Sequence, residues 1–116
     1  MVPKNKEKAK EFHLARVEEH ILLVLNRDGR KDKYGYQIMQ EIEVLSDGRY
    51  KLGYGSLYPA LTRLEDKGFV NSKWGEEKLE ELGGARRRYY KITPDGVQAL
   101  ENLELLRTWL GGGQLA

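Results

Sequence analysis

The side chains able to do chemistry in this chain fall into three groups. His13 and His20 are the only histidines, and there is no cysteine. Their spacing of seven is two helical turns, too long to hold one metal ion without a third ligand, so both read as structural or surface residues. The missing cysteines remove disulfides, thiolate nucleophiles, Cys-ligated zinc and iron–sulfur clusters. The second group is a run of hydroxyl and cationic side chains, Ser56, Tyr58, Thr62, Arg63 and Lys67. The third is Arg86, Arg87 and Arg88, followed by Lys91, with no acid among them. Both cationic groups suit a polyanion far better than the whole-chain net charge of +2 does. No Ser-His-Asp set, paired carboxylates or phosphate-binding glycine loop stands out, and Gly53-x-Gly55 is no nucleotide fingerprint. The expectation is no catalytic residue, no metal and no cofactor.

The elements that must position these groups follow from the hydrophobic pattern. From about Lys6 to Arg27, Leu14, Val17, Ile21, Val24 and Leu25 share one helical face, widened by Leu22 and Leu23. Asp28-Gly29 stops that helix. A second fits Gly35 to Leu45, with Ile38, Ile42 and Leu45 on a stripe beside Met39, and Ser46-Asp47-Gly48 breaks it. A third fits about Gly53 to Lys67, with Leu57, Leu61 and Leu64 inward and Gly68 as its stop. Pro59 allows this helix to begin no earlier than about Gly53, and either Gly53 or Ser56 can cap it. The period then changes to alternation over Phe69–Trp74 and Arg86–Ile92, a hairpin joined by a long polar segment. Thr93-Pro94-Asp95 opens a last helix, with Thr as N-cap and Pro at the first helical position, that runs to Leu110 before GGGQLA ends it.

Helix, helix, helix, hairpin, helix is the plan of a winged helix-turn-helix, mainly α with a small two-stranded β-wing. One domain of 116 residues is expected, a winged-helix DNA-binding part over about 12–92 and a terminal helix over about 94–110. Its third helix needs one apolar stripe to pack and one polar face to meet DNA. Leu57, Leu61 and Leu64 supply the first; Ser56, Thr62, Arg63 and Lys67 supply the second. Arg63 has two readings: a planar fork onto guanine O6 and N7, or an ion pair with Asp66.

Three strings then carry a family resemblance. GSLYPALTRLEDKGFV at 55–70 resembles the helix-three signature of the PadR family of transcriptional regulators. YGYQI at 34–38 is similar to the start of that family's helix two, and RRRYYKITPDG at 86–96 to its second wing strand and entry into the last helix. The matches come in the family order over about residues 20–100. The resemblance implies a sequence-specific regulator of transcription, a repressor more than an activator, acting as a homodimer on double-stranded operator DNA. It implies that Tyr58 and Tyr36 face DNA, where their hydroxyls reach phosphate. A protein-interaction winged helix using the same polar face is the competing class.

The wing arginines Arg86, Arg87 and Arg88 should alternate, so that at most two face DNA together. Glu76, Glu77, Glu80 and Glu81 between the strands either swing away from DNA or screen these arginines. In the last helix Leu103, Leu106, Trp109 and Leu110, with Leu100 and Leu105, exceed the stripe that a surface helix needs. Together with Leu14 they are expected to form a homodimer interface. In some family members an aromatic residue of this helix lines a pocket between subunits, which gives Trp109 a role with a small aromatic or amphiphilic effector. Trp74 reads as wing packing. No apolar run reaches the roughly 18 residues of a membrane span, and the N-terminus lacks a secretory apolar region. A cytoplasmic location without membrane contact is expected.

Overall fold

The computed structural model describes residues 13–76 and 86–111. Among the described residues, four helices and three short strands follow one another as α1 (Arg16–Leu25), a 3-10 turn (Asp28–Arg30), β1 (Lys33–Tyr34), α2 (Gly35–Leu45), α3 (Tyr54–Asp66), β2 (Val70–Trp74), β3 (Arg88–Ile92) and α4 (Pro94–Gly111). The start expected for the first helix, the acidic residues Glu77, Glu80 and Glu81, and most of the glycine-rich tail lie outside the described residues.

The core is one cluster drawn from every main element. Ile21, Leu22, Leu25, Ile38, Leu57, Leu61, Leu64 and Val70 are fully buried in it. Helix α2 occupies the span expected for it, but Leu45 does not join Ile38 and Ile42 inside. It is half exposed, because it is the last residue before the Ser46–Gly48 turn carries the chain away.

The sheet has three antiparallel strands in the order β1-β3-β2 rather than two. Lys33 pairs with Tyr90 and Tyr34 with Tyr89, while β2 and β3 pair from Val70–Ile92 to Trp74–Arg88. The extra strand brings the start of α2 against the wing. It is anchored by buried Lys33, whose Nζ donates to the Val24 carbonyl at the end of α1 (3.0 Å), to Asp28 (3.1 Å) and to Glu41 (2.8 Å). A buried ammonium with three acceptors on three segments ties those segments together.

Helix α3 is capped by Gly53, whose carbonyl accepts from Leu57 N–H at 3.0 Å, which decides between the two candidate caps. It ends in a Schellman turn: Gly68, at φ +81°, lets Phe69 N–H reach the Leu64 carbonyl at 2.9 Å. Thr93 locks that turn onto α4, donating from Oγ1 to the Gly68 carbonyl (2.7 Å) and accepting from Gly96 N–H (3.0 Å). Helix α4 meets the core through small or polar residues, with Gly96, Ala99 and Asn102 buried.

Candidate nucleic-acid interface

Around α3 the polar residues separate onto two flanks and an outer face. Gly55, Pro59, Thr62 and Asp66 are exposed opposite the buried leucines. Tyr54 and Tyr58 lie on the wing flank with their rings stacked at 5.7 Å and 11°. Arg63 and Lys67 lie on the flank toward α1.

The wing flank opens into a cleft of about 480 Å³ lined by Tyr34, Tyr36, Tyr54, Tyr58, Trp74 and all three wing arginines, among others. The Arg87 guanidinium sits 4.3 Å over the Tyr34 ring and that of Arg88 5.0 Å over Trp74. Such stacking covers one face of each guanidinium, and Arg88 Nη2 also lies 3.9 Å from Glu65 Oε2. Arg86 donates through Nη2 to the Gly75 carbonyl at 2.9 Å, closing the loop end of the hairpin. The expectation that alternation would divide the triplet does not hold. Only Arg88 lies in β3, Arg86 and Arg87 precede it, and all three line one cleft.

Tyr58 reaches across this cleft to the start of α2. A Cβ on Gly35 would lie 2.4 Å from the Tyr58 hydroxyl, so the absence of a side chain there is what admits the phenol. Burial and the neighbouring Tyr54 push the Tyr58 phenol above its ordinary range. Tyr36 is half exposed, and its hydroxyl accepts from Gln40. Tyr34, Tyr54 and Trp74 line the same cleft, and the sequence does not single them out as facing DNA. Their signal was available in aromatic residues flanking the arginine and Leu-Tyr-Pro segments.

On the other flank Arg63 does not pair with Asp66. Its Nε donates to Glu18 Oε2 at 2.6 Å, and Lys67 Nζ donates to Glu18 Oε1 at 2.7 Å. Glu18 is 1% exposed and also accepts from Ala15 N–H at 3.1 Å, reaching back over the start of α1. Burial pushes its carboxyl up, but the hydrogen bonds from Lys67, Arg63 and Ala15 outweigh this and hold it below the ordinary glutamate range. Ser56 and Thr62 are exposed on α3.

At the far end of the molecule Trp109 is 63% exposed and Leu110 78%, with Leu105 half exposed. Leu103 and Leu106 are half buried, and Leu14 packs on the core of its own chain. Glu19, also buried, accepts from Arg107 and ties α4 to α1. His20 meets the Tyr50 ring edge-on at 5.0 Å.

The sequence profile of the transcriptional regulator PadR-like family matches residues 21–102. The chain belongs to that family. Transcriptional regulator Rv3488 of Mycobacterium tuberculosis is 36% identical to this PadR-like chain over 108 residues, covering 89% of it and 91% of the relative. A PadR-like transcription factor from Bacteroides fragilis has a solved structure 28% identical, with a TM-score of 0.69 and coverage of 94% and 93%. Bacillus subtilis PadR, solved in complex with operator DNA, shares the fold at 20% identity and a TM-score of 0.64, over 84% of this chain and 48% of that one. The chain is thus a PadR-family transcriptional regulator and not an enzyme. Among the described residues no helix is long and apolar enough to cross a membrane.

Proposed function

We propose that this regulator binds operator DNA as a homodimer, with α3 in the major groove and the wing on the adjacent backbone. The observation that carries this is the single cleft in which stacked tyrosines of α3 and all three wing arginines converge. Phenol and guanidinium donors on a concave basic surface are the groups that position a duplex through its phosphates. In this reading Tyr36, Ser56, Tyr58, Lys67, Arg86, Arg87 and Arg88 serve the backbone, and Thr62 and Arg63 serve the bases.

The exposed apolar face of α4 is the dimer surface. The helix spends Gly96, Ala99 and Asn102 on its own core and leaves Leu105, Trp109 and Leu110 outside, with Leu103 and Leu106 at the edge. A two-fold pair then presents two copies of α3 to successive major grooves. Occupancy of a promoter by such a pair represses. An aromatic or amphiphilic effector seated by Trp109 would change the spacing of the two reading helices by binding one spacing more tightly than the other.

Selection of duplexes from a random-sequence pool by the full chain tests this. The expected product is a pair of inverted half-sites about one helical turn apart, bound by two protomers in sedimentation equilibrium. A pool that never enriches contradicts the reading and favours a winged helix that binds protein instead.

A further inference from the structure

Glu18 belongs to no contact surface, yet two cations that sequence assigns to DNA converge on it. We infer that Glu18 is a positioning residue for base reading: it holds Arg63 by Nε so that the terminal nitrogens of the guanidinium form a fixed fork at the edge of the outer face of α3. The inference rests on the reading that α3 enters the major groove.

Three observations support it. First, the bond uses Nε at 2.6 Å, and no described residue takes a hydrogen bond from the terminal nitrogens. A guanidinium gripped at Nε keeps the end-on pair of donors that matches guanine O6 and N7. Second, the grip is rigid at one end and open at the other. Glu18 is fully buried and fixed by the Ala15 N–H, whereas the Arg63 side chain is 49% exposed beside exposed Thr62. Fixing a long side chain before binding removes the rotamer entropy it would otherwise lose at the interface.

Third, the charges do not cancel. One carboxylate faces two cations, and Lys67, three-quarters buried, supplies the second. Both carboxylate oxygens are occupied, Oε2 by Arg63 and Oε1 by Lys67, as burial of the group requires. With two cations, the unit keeps a net positive charge on the DNA side while its carboxylate stays covered. Glu18 therefore orients Arg63 without turning the flank acidic.

The test compares selected sites rather than bulk affinity. Random-duplex selection is run with the wild-type chain and with Glu18→Gln, Glu18→Asp, Arg63→Ala and Arg63→Lys, each checked for a cooperative melt. Wild type is expected to show one guanine position with discrimination of about tenfold or more, and Arg63→Ala and Arg63→Lys to flatten it to less than about threefold. Glu18→Gln should flatten that same position and leave the others unchanged. Replacing this guanine by 7-deazaguanine should weaken the wild type and leave Glu18→Gln unaffected. Should the amide variant not fold, Glu18→Asp, which keeps the charge but withdraws it by one methylene, gives the same comparison with partial flattening. A Glu18 variant that weakens every position evenly, or keeps the guanine preference that Arg63→Ala loses, overturns the inference. If Arg63→Ala itself keeps the preference, base reading by Arg63 falls, and the positioning role falls with it while operator binding stands.

Discussion

Glu18 and Glu19 are neighbours in the first turn of α1 and hold different helices: Glu18 takes Arg63 and Lys67 of α3, and Glu19 takes Arg107 of α4. The helix proposed to read DNA and the helix proposed to pair subunits are thus both fastened to one turn of α1. The two carboxylates add to the shared core and to the Thr93 lock that already fix α3 against α4.

Stability should depend on Glu18 with a defined sign. Its folded carboxyl is held below the ordinary glutamate range by its hydrogen-bond donors. The stabilisation is therefore fully present above that range and is lost as pH falls through the folded value. At neutral pH Glu18→Gln should cost about 1.5–3 kcal/mol, the usual worth of hydrogen bonds to a charged group. Urea unfolding of both proteins from pH 7 to pH 3 measures this. The gap should close on acidification, and parallel curves would count against the buried-carboxylate account.

The approach of Tyr58 to Gly35 predicts a substitution that affects binding more than folding. Gly35→Ala places a methyl 2.4 Å from the phenol oxygen, at the far end of a movable side chain. The ring must swing into the cleft, so duplex affinity should fall as much as in Tyr58→Ala. Combining the two should cost little more than either alone. Additive losses in an anisotropy titration would show that the two residues act separately.

Gly96 offers the contrasting case. A Cβ there would meet the Phe69 carbonyl oxygen, a backbone atom, at 2.3 Å, whereas around Gly55 the space is open. Gly96→Ala should destabilise by about 3 kcal/mol, the upper end for overpacking. Gly55→Ala, in the first turn of α3, should be close to neutral, within about 0.5 kcal/mol. Denaturation midpoints of the two variants decide it.

The α4 surface predicts its own disruption. Replacing exposed Trp109 and Leu110 by Glu should yield a folded monomer, since each apolar side chain buried in the interface is worth about 1.5–3 kcal/mol. Sedimentation equilibrium at micromolar concentration reads the mass, and a dimer that persists would move the interface elsewhere.

Much of this was legible before any coordinates, where apolar spacing alone decides the answer. The span of α2, the inward leucines of α3, and Thr93 and Pro94 at the start of α4 follow from period and capping chemistry. Strand β1 was not legible, because Lys33-Tyr34 sits in a polar loop and is extended only by pairing with Tyr89 and Tyr90 across 55 or more residues of chain. The wing was misread for a related reason: alternation was extended to Arg86 and Arg87, which precede the strand. The role of Glu18 did leave a trace. It falls four residues after Leu14 and four before Leu22, a carboxylate set within an apolar stripe. Such a residue must find cations when buried, but which cations only the packing of α3 on α1 reveals.

The central claim is that the tyrosine- and arginine-lined cleft seats the DNA backbone, and salt dependence tests it most directly. The affinity of the full chain for a selected duplex, measured by anisotropy across a salt series, should fall linearly on logarithmic axes, with a slope near −0.9 for each phosphate neutralised. Arg87→Ala and Arg88→Ala should each make that slope shallower by about one contact while preserving the selected sequence. Affinity that ignores salt, or slopes unchanged by both substitutions, would contradict the account.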